Sequence, residues 1–233
     1  MRSYDKRRYI FAFIITVAIF SLGFFFGFIL DIKRADYFKS LNEEQKLNIR
    51  SIQLQYEIIS SVADKKNCEA FKYVFNNAVN ELERNRERLE IYDQQSKINK
   101  EEFVVLRREY VISQINFWHI SKKYKETCPE YTDFLTVVYF FSDKEKCPDC
   151  EEQSSVLNYY KNTLKEKIFV FAIDENFENH ESLIGLLKKS YSINEYPSLI
   201  IEDEKFTGFV DSNTFKKIVC RNYKSIDVDI NIC

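Results

Sequence analysis

From Tyr9 to Leu30 the chain reads "YIFAFIITVAIFSLGFFFGFIL", about 22 residues without a charge. As a helix rising 1.5 Å per residue this stretch is roughly 33 Å long, enough to cross a hydrocarbon core of about 30 Å. The competing reading is a cleaved signal peptide, whose apolar stretch is usually about 7 to 15 residues. This run is longer, lacks an A-x-A-like site and passes directly into "DIKRAD". An uncleaved signal-anchor at residues 9–30 is therefore expected, making the protein a single-pass protein of the cell membrane. Arg2, Lys6, Arg7 and Arg8 precede the span; Lys33, Arg34 and Lys39 follow it. The modest excess on the first side places residues 1–8 in the cytoplasm and the remainder outside it. The reverse topology would put the whole remainder in the cytosol, with its thiols free.

Charge excludes one class of partner. Lys and Arg number 34 against 36 Asp and Glu, so nothing draws the chain generally to nucleic acid. Outside the cytoplasm, stable disulfides are permitted, and the even set of six cysteines then becomes meaningful.

From Ser40 to Tyr124 there is neither Gly nor Pro. "SLNE" at 40–43 has the form of a capping box and opens a helix expected to reach Ala63, where "DKKN" breaks it. Cys68, Phe71, Phe75, Ala78, Leu82, Leu89 and Tyr92 follow a spacing of threes and fours, and so do Phe103, Leu106, Tyr110, Ser113, Phe117, Ile120 and Tyr124. That spacing gives each of two helices one apolar stripe, the pattern of an antiparallel pair or coiled coil. The turn falls in "QSKIN" at 95–99, with Asn99 capping the next helix. Because the midpoint of Cys68 and Cys128 is also residue 98, folding the hairpin returns both cysteines to one end, and a disulfide between them is expected. The region 31–128 carries no chemistry of its own; it is a candidate spacer, docking surface or homodimerising module.

After Cys128-Pro129 the pattern changes. "FLTVVYFF" (134–141) and "KIFVFAI" (167–173) read as strands buried on both faces. Helices are expected over 151–165 and 180–190, strands over "SLIIE" and "KFTGFV" joined by the turn Asp203-Glu204-Lys205, and a last helix capped by Ser212 and reaching Arg221. The order β-α-β-α-β-β-α describes a compact α/β domain, 130–233, ending in a tail. Ile226, Val228, Ile230 and Ile232 alternate with polar residues, so the tail could form an edge strand. Cys233 could reach Cys220, pair with another chain, or stay free.

In this domain "CPDC" (147–150) follows the first strand, "FAIDEN" ends the second, and "YSINEYPSLIIEDEKFTGF" follows the second helix. Together these resemble the thioredoxin-like superfamily over about residues 132–222, with Tyr196 before Pro197 particularly similar to protein disulfide isomerase domains. The resemblance implies a mixed sheet and a redox-active pair in which Cys147 is the exposed attacking thiol and Cys150 resolves the mixed disulfide, with Pro148 and Asp149 shaping the motif. It also implies a cis Pro197 that turns the Tyr196 backbone toward the thiols to bind an extended substrate.

Physically, a helix N-terminus favours a thiolate at Cys147; Lys144 and Lys146 add to this, while Asp149, Glu151 and Glu152 oppose it. The sequence departs from the family where Lys146 replaces the usual aromatic and where "VVYFFS" offers no buried carboxylate, leaving Asp143, Glu145 or water to serve Cys150. No cofactor is expected. Nor is a metal, since two cysteines are too few for a closed zinc site and His180 is the only further candidate in the domain. The expected activity is a thiol–disulfide oxidoreductase on cysteine-containing protein substrates, with a membrane redox partner as a further candidate; direction depends on potential. The alternatives are a binding or assembly module of the same fold, with a dispensable thiol, and, if the topology is reversed, a cytosol-facing thioredoxin-like reductase.

Overall fold

The computed structural model describes residues 10, 13–32, 50–51, 54, 57, 68–94, 100–226, 230 and 232–233. The chain divides into two compact units, Met1–Gln53 and Leu54–Cys233. In the first, helix α1 (Phe13–Ile32) is long and apolar enough to cross a membrane, and its large side chains, Phe20 and Phe24 among them, are exposed. The capping box at 40–43, the "DKKN" break and the turn at 95–99 with Asn99 lie outside the described residues.

The second unit opens with α2 (Cys68–Asp93) and α3 (Lys100–Thr127). They run antiparallel: a Cys68–Cys128 disulfide joins them at one end, and the Tyr92 hydroxyl donates to Glu102 at the other, 2.6 Å away. Arg88 pairs with Glu109 between these points. Cross-linking residues 60 apart in sequence restricts the unfolded chain by about 4 kcal/mol on the chain-entropy estimate.

The helical stripes do more than face each other. Phe75 of α2 touches Phe117 and Tyr124 of α3, and also Phe134 and Phe169. Phe117 in turn packs edge-on against Phe169 and Phe171. The last two belong to a strand, so the hairpin is bolted to a sheet through aromatic rings. Ion pairs Arg107–Asp174, Arg108–Glu181 and Lys122–Asp203 run along the same junction.

That sheet has four strands among the described residues: β1 (Leu135–Phe141), β2 (Ile168–Asp174), β3 (Ser198–Ile201) and β4 (Glu204–Thr207), in the order β2-β1-β3-β4. β1 and β2 are parallel, with Val137 opposite Val170; β3 runs antiparallel to β1 and β4 antiparallel to β3. Helices α4 (Cys150–Leu164), α5 (Ser182–Ser190) and α6 (Ser212–Ser225) complete the thioredoxin-like fold. Strand side chains alternate between faces. Leu135, Val137, Tyr139, Leu199 and Ile201 form one core with Leu157 and Tyr160 of α4 and Phe215, Val219 and Tyr223 of α6. The opposite face offers Phe169 and Phe171 to α3. Two polar side chains of this core are paired: Gln153 of α4 receives the Val210 amide at 2.8 Å, and the Tyr160 hydroxyl donates to the Ser212 carbonyl at 2.9 Å.

Four local expectations change. β1 is buried as expected, but β2 lies at the sheet's end and leaves Ala172 exposed, because side chains of an end strand have a strand neighbour on one side only. The β3–β4 turn is Glu202-Asp203, one residue earlier than expected. Glu202 adopts φ 55°, in the left-handed region that tight hairpin turns use. Asp211, not Ser212, caps α6: its carboxylate accepts from the amides of Asn213 and Thr214, and an ionised acceptor at that position also complements the helix dipole. In the tail, Ile230 and Ile232 lie in no strand; Ile230 is buried in the α4–α6 core, and Cys233 forms a disulfide with Cys220 of α6. Residues 227–229 and 231 of that tail lie outside the described residues.

Candidate redox site

The loop from β1 to α4 is organised by Asp143. Its carbonyl accepts the Cys147 amide at 2.8 Å, and its carboxylate accepts the Lys146 amide at 3.1 Å, closing the "KEK" turn. Cys147 and Cys150 form a disulfide with Cα atoms 5.4 Å apart. The helix begins at Cys150, with Asp149 as N-cap, so Cys147 sits in the turn just ahead of it. Pro148 fits this place, having no amide to leave unsatisfied.

The pair is buried. Cys147 is 1% exposed and Cys150 7%, so the expected exposure of Cys147 is not met in the disulfide form. The reason is packing: both sulfurs belong to the α4–α6 core, with Phe141 and Tyr196 lying against the same cluster. Cys147, Pro148 and Cys150 do line an open cleft of about 430 Å³, floored by Tyr139, Phe141 and Ala172. Tyr196 and Pro197 are not part of that cleft's lining.

Beneath the motif, the Tyr139 hydroxyl donates to the Cys150 carbonyl at 2.7 Å. Burial pushes its phenol up to about 12, so it stays a proton donor at neutral pH. Asp143, one of the carboxylates expected to serve Cys150, is occupied in the turn. The polar contact under Cys150 is thus a phenol. The alternation of β1 puts Tyr139 on the α4 face, which was the available signal, but an inward tyrosine in a buried strand is ordinarily core.

Tyr196-Pro197 is a cis peptide. The Pro197 carbonyl accepts the Gly208 amide at 2.8 Å, and the Ser198 hydroxyl donates to the Glu195 carbonyl at 2.7 Å, fixing the segment between α5 and β3. Gly208 has φ +83°, a conformation that side chains resist and glycine adopts freely.

A residue that the sequence marks only as part of the polar end of a strand joins the two loops. Glu175, in the short 3-10 turn after β2, accepts from the Lys146 ammonium (2.8 Å) and the Ser142 hydroxyl (3.2 Å) on one oxygen. Its other oxygen accepts from Lys188 (2.9 Å) and the Tyr196 hydroxyl (3.1 Å). The Lys146 charge is therefore already paired, a correction to its expected role in favouring a thiolate. His180 lies against the Phe177 ring, and among the described residues no group of three or more His, Cys, Asp or Glu side chains could hold a metal ion.

Burial pushes the Glu175 carboxyl up, but hydrogen bonds from Lys146, Lys188 and Tyr196 outweigh it and hold the group at about 2. A carboxylate whose folded value lies below its unfolded one stabilises the fold above the unfolded value. That stability is lost as pH falls toward the folded value. Glu175→Gln is therefore expected to lower the thermal midpoint above about pH 4.5, with the difference from wild type closing as pH falls toward 2. A constant difference across that range in pH-stepped unfolding would assign the loss to shape alone.

No protein-family model matches the chain, and no curated protein does. Solved structures do match. A structure described as that of a malarial protein is 19% identical, covering 39% of this chain and 97% of that one, with TM-score 0.31. The germline-specific thioredoxin Deadhead of Drosophila melanogaster is 17% identical, over 46% and 92%, with TM-score 0.31. The J-Trx1 fragment of ERdj5 is 13% identical, over 71% and 95%, with TM-score 0.33. At these values the fold assignment rests on strand order and element sequence in the chain itself.

Proposed function

We propose that this protein is a membrane-anchored thiol–disulfide oxidoreductase working outside the cytoplasm on protein thiols and disulfides, through Cys147 and Cys150. The observation that carries the reading is a Cys147–Cys150 disulfide at the mouth of α4 within a thioredoxin-like fold. The helix α1 and the two further disulfides, Cys68–Cys128 and Cys220–Cys233, support an oxidising compartment reached through the membrane route.

In the oxidising direction, a substrate thiolate attacks Cys147 Sγ and displaces Cys150 as thiolate, giving a mixed disulfide. A second substrate thiolate then attacks the substrate sulfur of that bond and releases Cys147. Two electrons pass from the substrate dithiol to the pair, and the protons lost by the substrate are taken up by Cys147 and Cys150. The reverse sequence reduces a substrate disulfide. The Tyr139 phenol donates to the Cys150 carbonyl and so helps hold the resolving residue in place. The Tyr196 amide and carbonyl take part in no backbone hydrogen bond given by the described residues, and an extended substrate could pair with them by strand addition.

Replacing the resolving thiol tests this. In membranes containing the Cys150→Ser chain, Cys147-dependent mixed disulfides with other proteins should accumulate on non-reducing gels and vanish with reductant. Their absence would count against protein thiols as substrates. One observation favours a second reading, a binding module with a structural bridge: the pair is almost wholly covered. On that reading Cys147→Ser leaves function intact.

A further inference from the structure

Glu175 carries four hydrogen bonds at the end of β2, and two of its partners flank the proposed chemistry. Lys146 immediately precedes Cys147, and Tyr196 immediately precedes Pro197. The sheet puts Glu175 there: β2 is parallel to β1 and ends level with it, Asp174 standing opposite Phe141, so the next residue meets the loop leaving β1. The Asp174 carboxylate accepts the Asn176 amide at 2.9 Å and shapes the turn, while the Asn176 side chain donates to Ser142. Glu175 is a held carboxylate, its side chain 13% exposed, and not a chance surface contact.

Charge around the thiols gives this carboxylate a consequence. In sequence the motif is preceded by Lys144 and Lys146, contains Asp149, and is followed by Glu151 and Glu152. A cation adjacent to the attacking sulfur lowers the cost of its thiolate, and a carboxylate bound to that cation removes most of the gain. Beyond Glu175, Lys188 is shared with Glu178, so the β2–α5 side supplies no spare positive charge from these groups.

We infer that Glu175 is a positioning residue that tunes the thiol pair: by binding the Lys146 ammonium and the Tyr196 phenol to one carboxylate, it makes the Cys147 thiol harder to ionise than the motif alone would. The inference rests on the redox reading above. The step it governs is loss of a proton from Cys147 to water, after which the thiolate forms one S–S bond to a substrate sulfur as the substrate's own S–S bond breaks. The departing substrate thiolate takes up a proton. Electron count is unchanged by Glu175; only the fraction of thiolate is.

The test uses the full-length chain in detergent with the Cys147–Cys150 pair reduced. Alkylation of Cys147 by iodoacetamide is followed against pH and located by peptide mass. Glu175→Gln should lower the midpoint by about half a unit to one unit, since it uncovers the cation. Lys146→Gln, at an exposed position, should raise it by a similar or smaller amount, and the double variant should return close to wild type. Midpoints unmoved in both single variants, or moved in the same direction in both, as general loosening of the buried site would move them, overturn the inference. If Glu175→Gln does not fold, the Lys146→Gln shift decides alone. Glutathione exchange by the wild-type sample is scored separately: its absence sinks the redox reading, whereas exchange with unmoved midpoints sinks only the role of Glu175.

Discussion

Cys147→Ser is expected to reduce thiol–disulfide exchange to near the uncatalysed background, a loss of about a thousandfold or more, because the Cys150 thiol it frees is buried and has no second thiol with which to complete the cycle. Outside the pair the described cysteines leave no substitute: Cys68 is bound to Cys128 and Cys220 to Cys233. The measurement is turnover of a small disulfide substrate by the full chain. Because the Cys147–Cys150 bridge spans only three residues in sequence, it restricts the unfolded chain little, and the variant should stay folded without it. Retained turnover in this variant would move the chemistry elsewhere; lost turnover with a folded chain assigns it to Cys147.

The second large effect is structural. Phe117→Ala should destabilise the Leu54–Cys233 unit by about 3–5 kcal/mol, the usual range for removing a fully buried aromatic ring. Phe117 is 1% exposed and meets Phe75 of α2 together with Phe169 and Phe171 of β2. Truncation therefore opens a cavity where three elements join. Denaturant unfolding followed by tryptophan fluorescence reads this well, since Trp118 is the neighbouring residue and its ring sits 6.0 Å from Tyr191. A change below about 1 kcal/mol would mean that the hairpin is only loosely appended to the sheet. This packing also ties the hairpin to the site, because Arg107 of α3 pairs with Asp174, the residue before Glu175.

Much of this was legible in the residues because the periods are strong. Threes and fours mark α2 and α3, and the symmetry of Cys68 and Cys128 about residue 98 points to the bridge that the structure contains. Two continuous apolar runs mark β1 and β2, and the thioredoxin-like resemblance implied the cis bond found at Tyr196-Pro197. What stayed hidden depends on contacts distant in sequence. The stripe containing Phe117 announces burial without saying that a strand 52 residues later (169 − 117) shares it. The hairpin turn slipped by one residue because Glu202 tolerates a left-handed backbone that its identity does not advertise. Glu175 reads as the polar end of a strand; only the fold brings residues 146, 188 and 196 onto its two oxygens. Burial of the thiols is likewise a tertiary outcome, set by the α4–α6 core and not by the motif.

The central claim is that Cys147–Cys150 is an exchanging pair, and its reduction potential tests that most directly. The full-length protein would be equilibrated with graded glutathione ratios, acid-quenched, and its thiols trapped and located by peptide mass. The account predicts one reversible two-electron transition at Cys147 and Cys150 between about −270 and −120 mV, the span of known exchanging pairs. The other two disulfides should remain intact there. A pair that stays oxidised at every ratio, with a potential below about −300 mV, would behave as a structural bridge and contradict the account.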